Sequence, residues 1–191
     1  MVAELRAKTD APMMECKKAL TEAEGNEEKA IEILRKRNIV KGEARGARVA
    51  AEGAVGSYIH MGGKIGVLVE VNCESDFVAR TDKFQELTKE IAMHIAAANP
   101  TYVRREDVPE DVVGREKEIY KDQVKDKPAQ VIDKIVDGKL NSYYQQVCLM
   151  EQASVRDPNV TITQLVQDAI RILGENITVS RFVRMKVGET A

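Results

Sequence analysis

Residue types able to carry covalent chemistry are sparse in this 191-residue chain and poorly spaced for it. Its two histidines, His60 and His94, lie far apart, and neither belongs to an H-E-x-x-H motif. No serine or cysteine stands in a pattern that would set a base beside a nucleophile. His94, between Ile91 and Ile95, falls near the apolar stripe of a helix, where a packing role is expected. Cys16, Cys73 and Cys148 are odd in number and widely separated, which fits neither a disulfide framework nor a zinc site, so a reducing compartment is expected. Gly62-Gly63 lacks the rest of a phosphate loop and joins two strands, not a strand and a helix. Residues 106–122 carry seven carboxylates, but three basic residues interrupt them and their scatter suits a solvated helical face better than a metal site. No catalytic group, cofactor or metal site is therefore expected.

Composition narrows the classes further. With 29 Lys plus Arg against 31 Asp plus Glu, whole-surface nucleic-acid binding is excluded. A hydrophobic fraction of 43% is enough to bury a core and excludes wholesale disorder. Five Tyr, three Phe and no Trp make a base-stacking platform unexpected. The basic residues Arg35, Lys36, Arg37, Lys41, Arg45 and Arg48, interrupted by Glu43, keep open an RNA- or ribosome-associated binding module as a second reading. Phosphate binding of that kind would weaken steeply with salt. Apolar stretches are too short for a membrane span and the opening residues lack a secretory apolar run, so a cytoplasmic location is expected.

The elements that must position any site follow from periodicity. Residues 1–40 read as three short helices. Leu5 lies in the first, which ends near Thr9-Asp10-Ala11-Pro12. Met13, Cys16, Leu20 and Ala23 recur at helical spacing in the second, which Gly25 stops. Asn26 is positioned to cap the third, with Glu27 and Glu28 in its first turn and Ala30, Ile33 and Leu34 following. So small a unit buries little surface and should be marginal alone. An Ala/Gly-rich basic linker, residues 41–53, precedes a change of period from helical to two. Residues 55–60 and 64–73 flank Met61-Gly62-Gly63 as a hairpin, with Ile65, Val67, Val69 and Val71 on one face.

A helix is expected from about Thr81, carrying Phe84, Leu87, Ile91, Ile95 and Ala98, and ended by Asn99-Pro100. Pro109 suits the first position of another. Its partner, from about Pro128, should bury Val131, Ile132, Ile135, Val136, Leu140 and Tyr143, with Gly138 as a weak point. Thr161-x-x-Gln164 is a capping box for a helix closed by Gly174. A last strand alternates Ile177, Val179, Arg181, Val183, Met185 and Val187. The expected class is α+β, with a three-stranded antiparallel sheet and helices packed to one side.

One segment resists a purely packing account. Asn72-Cys73-Glu74-Ser75-Asp76-Phe77-Val78-Ala79-Arg80 follows a strand whose apolar face is already supplied and precedes a helix already anchored by Phe84. Either Ser75 or Asp76 caps a short turn and Phe77 tucks beneath it, or an Asp-Phe tip projects from a rigid sheet corner toward a partner.

Residues 9–20, Thr-Asp-Ala-Pro-Met-Met-Glu-Cys-Lys-Lys-Ala-Leu, resemble a signature of the elongation factor Ts family. Residues 69–79 are similar to the family's second signature, with Ser75 in place of its usual Thr. Ile91-Ala92-Met93-His94-Ile95-Ala96-Ala97, Pro100 and Arg181-Phe182 extend the likeness over nearly the whole chain. The resemblance implies a ubiquitin-associated-like domain at 1–40 and an exchange and dimerisation core at 54–191. It further implies docking on the G domain of elongation factor Tu through Met13, Met14 and Lys17; Arg45 and His60 are additional candidates for peripheral contacts. Met14 and Lys17 lie off the Cys16/Leu20 face, in keeping with that role. Ser75, Asp76, Phe77 and Val78 would dislodge Mg²⁺ from the partner's GDP site, with no covalent chemistry and no nucleotide bound by the factor itself. The single core repeat resembles the short form of the family, which implies a homodimer; neither a membrane nor a specific nucleic acid is an expected partner.

Overall fold

The computed structural model describes residues 1–3, 5, 13–34 and 48–189, excepting the side chains of Met13, Glu15, Ala129 and Gln130. The chain divides into two compact units, Met1–Arg48 and Val49–Ala191. The predicted end of the first helix, most of the linker and Arg45 lie outside the described residues.

In the first unit, α1 (Met13–Glu22) and α2 (residues 27–34) bury Cys16, Ala19, Leu20 and Ala23 against Ala30, Leu34 and Leu5. Gly25, at φ +82°, reverses the chain between them, a conformation that costs a residue with a Cβ. Asn26 caps α2 as its side chain accepts from the Lys29 amide at 3.0 Å.

The second unit is built on a sheet of order β1-β2-β3, antiparallel throughout: β1 (Glu52–Ile59), β2 (Ile65–Cys73) and β3 (Thr178–Lys186). The α+β class expected from periodicity is the observed one. β1 begins inside the stretch read as linker. Between β2 and β3 the chain forms α3 (Asp76–Ala79), α4 (Asp82–Ala98), α5 (Glu110–Gln123), α6 (Ala129–Val147) and α7 (Ile162–Leu173). Val67, Val69, Val71 and Cys73 turn one sheet face onto Phe84, Leu87, Ile91 and Ile95 of α4, and α7, packed against α4, adds Ile162 and Val166 to the same core. Thr81 caps α4 and Asn99, in the left-handed region at φ +51°, ends it. The capping box forms as expected: the Thr161 hydroxyl accepts from the Gln164 amide and the Thr161 amide donates to Gln164 Oε1 at 2.7 Å. At Gly56 the β1 backbone comes so close to α4 that an added Cβ would lie 2.3 Å from Thr88 Cγ2.

Two expectations about helices need correction. Pro109 precedes its helix as the cap, and α5 begins at Glu110. In α6 only Val136 and Leu140 of the predicted stripe are fully buried, while Val131 is exposed. The reason is that α5, its main helical neighbour, buries no residue of its own, so this two-helix hairpin covers only part of the stripe. Gly138 does not interrupt α6, and a Cβ there would meet nothing within 4 Å. Gly138→Ala is therefore expected to raise unfolding stability by about 0.5–1 kcal/mol, measured by urea denaturation, through the lost conformational freedom of the unfolded chain.

The last strand departs from its simple alternation. Ile177 and Val179 are buried, but a bulge opposite Glu70/Val71 places Ser180 outside the regular pairing. Beyond it the phase inverts: Phe182 and Arg184 turn inward, while Val183, Met185 and Val187 are exposed. With Val55, Ile59 and Leu68 they form an apolar patch on the sheet's free face, beside the Glu70–Arg181 ion pair. Among the described residues no helix is long and apolar enough to cross a membrane.

Candidate functional site

At the corner where β2 leaves the sheet, Ser75 adopts extended backbone angles and its hydroxyl accepts from the Val78 amide at 3.3 Å, capping the single turn α3. The cap forms as one of the two readings expected, but the ring does not tuck beneath it. Val78 and Ala79 fill the underside, each 6% exposed and part of the core cluster. Phe77 is 77% exposed. On so short a helix, successive side chains point in different directions, and the core can accept only one side of the turn.

The turn is tied down at several points. Cys73 Sγ donates to Ser75 O at 3.1 Å, Thr81 Oγ1 donates to Val78 O at 2.8 Å, and Gln85 Nε2 donates to Ala79 O at 2.7 Å. Asp76 projects beside Phe77 and pairs with Arg80 at 2.8 Å. Both groups are well exposed, so this pair contributes little to stability and can be exchanged for another partner.

A residue the sequence reading did not single out completes the corner. Glu175, in the connection from α7 to β3, accepts from the amides of Glu74 (3.1 Å) and Ser75 (3.0 Å) through one oxygen, and from Ser75 Oγ (2.6 Å) through the other. Glu74 returns the contact, its Oε1 accepting from the Asn176 amide at 2.7 Å. No local signal marks Glu175, because its partners lie about a hundred residues earlier.

The other sequence-marked residues are placed as follows. Met14 and Lys17 are exposed on α1, where they line a shallow depression with Lys18, Thr21 and Glu22. Met13 belongs to α1. His60, at the hairpin turn, is exposed and lies 3.1 Å from the Tyr58 hydroxyl through Nδ1. The tip, His60 and the shallow depression present no catalytic constellation. Among the described residues no group of His, Cys, Asp and Glu is arranged to hold a metal ion. Cys16, Cys73 and Cys148 are buried and not joined in disulfides, and burial pushes the Cys148 thiol up to about 11.

His94 is wholly buried and structural. Its Nδ1 accepts from the Val155 amide at 3.2 Å, which puts the ring proton on Nε2, facing Gln152 Oε1 at 2.9 Å. Burial holds the imidazole below its ordinary 6.5, partly opposed by Gln152 and by Glu90. The unfolded chain thus binds more protons, so stability is full above pH 6.5 and falls as the pH drops toward the folded-state value. Urea denaturation between pH 7 and pH 5 should show this loss, and His94→Gln should flatten the slope. Carboxylates held low by partners, such as Glu151 beside Arg105, lose their share only below 4.5.

A sequence model of the family described as "Elongation factor TS" matches residues 4–189. The chain is 60% identical over 191 residues to an "Elongation factor Ts" of Fervidobacterium nodosum, covering 99% of this chain and 97% of that one. It is 58% identical to that of Koribacter versatilis, over 98% of this chain and 87% of that one. To that of Thermosipho melanesiensis it is 55% identical, over 99% and 97%.

Proposed function

The chain belongs to the elongation factor Ts family, and from that premise we propose that it is the guanine-nucleotide exchange factor of elongation factor Tu, acting through the Asp76-Phe77 tip. The observation that carries this reading is an aromatic ring 77% exposed on a turn whose backbone is fastened on both sides. A floppy loop would lose its binding energy to ordering; a fastened one applies it to the partner. Phe77 enters between helices of the G domain near the nucleotide's Mg²⁺, with Asp76 exchanging Arg80 for a partner group. Ser75 and Val78 serve from below, as cap and anchor. Shifting the helices that hold Mg²⁺ removes its neutralisation of phosphate charge, and GDP leaves faster. No covalent step is involved. Released GDP is replaced by GTP, and the factor departs because nucleotide and factor weaken each other by the same ratio.

Stopped-flow release of a fluorescent GDP from elongation factor Tu tests the reading. The chain should accelerate release, saturating with its concentration; release at the unassisted rate would overturn it.

Docking is assigned to the first unit through Met13, Met14 and Lys17 of α1. Lys17 is exposed and serves no core contact. Lys17→Ala is expected to weaken binding about three- to tenfold by calorimetry, as for one rim charge, with a shallower dependence on salt. Unchanged affinity would remove Lys17 from the interface.

The chain also forms a homodimer in this proposal, through the apolar patch on the free face of its sheet. Val55, Ile59, Leu68, Val183 and Met185 lie together there, and a single sheet layer gains from a second one covering it.

A further inference from the structure

We propose that Glu175 is the positioning residue of the exchange tip, an inference that rests on the reading of Asp76-Phe77 given above. Three donors converge on its one carboxylate: the amides of Glu74 and Ser75 and the Ser75 hydroxyl. A carboxylate is acceptor-only, so it satisfies all three, and bonds of this charged kind are stronger than neutral ones. A glutamine would turn an N–H₂ toward one of those donors.

The Ser75 hydroxyl links this clasp to the tip. It spends its proton on Glu175 and its lone pair on the Val78 amide, so the direction of the first bond fixes the second. Glu175 thereby holds the cap that orients α3, although its hydrogen bonds go to Glu74 and Ser75 and not to Asp76 or Phe77. The reciprocal bond from the Asn176 amide to Glu74 locks the two loops together, and Asn176 is itself only 2% exposed. The clasp therefore ties the tip to the start of β3, an element just over a hundred residues later in the chain. Ordering the tip before docking spares the complex that entropy, so the loss of Glu175 should fall on the step at which the tip works and not on the docking face of α1.

The test uses the full chain in five forms: wild type, Glu175→Ala, Glu175→Gln, Ser75→Ala and the Ser75/Glu175 double alanine variant. Stopped-flow GDP release is recorded against factor concentration, which separates the maximal rate from the half-saturating concentration. Glu175→Ala should lower the maximal rate about tenfold while moving the half-saturating concentration less than about threefold. Glu175→Gln, which is nearly isosteric and keeps the fold, should show a smaller loss in the same parameter. The double variant should lose no more than the worse single one, because the two residues act as a unit. Amide hydrogen exchange of Glu74 and Ser75 in the free chain should quicken in Glu175→Ala.

A maximal rate unchanged in both Glu175 variants, losses that multiply in the double variant, or unaltered amide exchange would each overturn the proposal. Phe77→Ala in the same assay separates the two ideas. An unimpaired rate there discards the tip as the exchange element and, with it, this role for Glu175. A slow Phe77→Ala beside wild-type Glu175 variants discards Glu175 alone.

Discussion

Phe77→Ala is expected to slow factor-assisted GDP release from elongation factor Tu by about ten- to hundredfold, because burying a phenylalanine ring on a partner is worth about 1.5–3 kcal/mol. The substitution should leave the chain's own stability within about 0.5 kcal/mol, since the ring is 77% exposed and fills no part of the core. Together these two results separate a contact function from a folding function. Val78→Ala is the contrasting case. Its side chain is 6% exposed among the core residues, so that variant should lose stability as well as activity. Linkage supplies an independent check on Phe77. If the ring supplies part of what distorts the nucleotide site, its removal must also shrink the difference between the factor's affinities for GDP-bound and nucleotide-free elongation factor Tu, by the same ratio as it shrinks the factor's effect on GDP affinity. Wild-type acceleration by Phe77→Ala would exclude the tip.

Leu68→Asp should convert the proposed dimer into a monomer. Wild-type chain should scatter light as twice the 21.3 kDa of one copy, and the variant as one. Leu68 lies on the central strand, cross-strand from Val183 and exposed in the single chain, so an aspartate there is solvated in the monomer. In a two-fold interface the same position occurs twice, and each copy brings an unpaired carboxylate into an apolar contact. Even about 2 kcal/mol per copy weakens association roughly a thousandfold. The Glu70–Arg181 pair lies on the same face, 2.7 Å apart, and would supply a polar margin to the proposed dimer. Val183→Asp, on the edge strand, should act in the same direction. A wild-type mass of one copy at all concentrations would refute the dimer, and a variant that remains paired would move the interface elsewhere. Both variants retain the tip, so each also reports whether exchange needs the second copy.

Short-range signals in the amino-acid order determined much of this protein. Thr161 with Gln164, Asn26, Thr81, and the left-handed positions at Gly25 and Asn99 mark helix ends through contacts within a few residues, and each end forms where those residues stand. The alternation of Val67, Val69 and Val71 likewise settled which face of β2 meets the helices. The two signature segments were enough to identify the family. The side-chain directions at the site were decided by tertiary structure. Periodicity could not choose between Phe77 and Val78 for the underside of α3, because on a one-turn helix the choice depends on where α4 and the sheet leave room. Nor could it foresee that Ser180 bulges and turns Val183 and Met185 outward, since a strand's phase depends on its pairing with β2, over a hundred residues earlier. Glu175 was invisible for the same reason. A carboxylate after a helix reads as solvated until the fold brings two amides and a hydroxyl within about 3 Å of it, because hydrogen bonds act over ångströms in space whatever the separation along the chain.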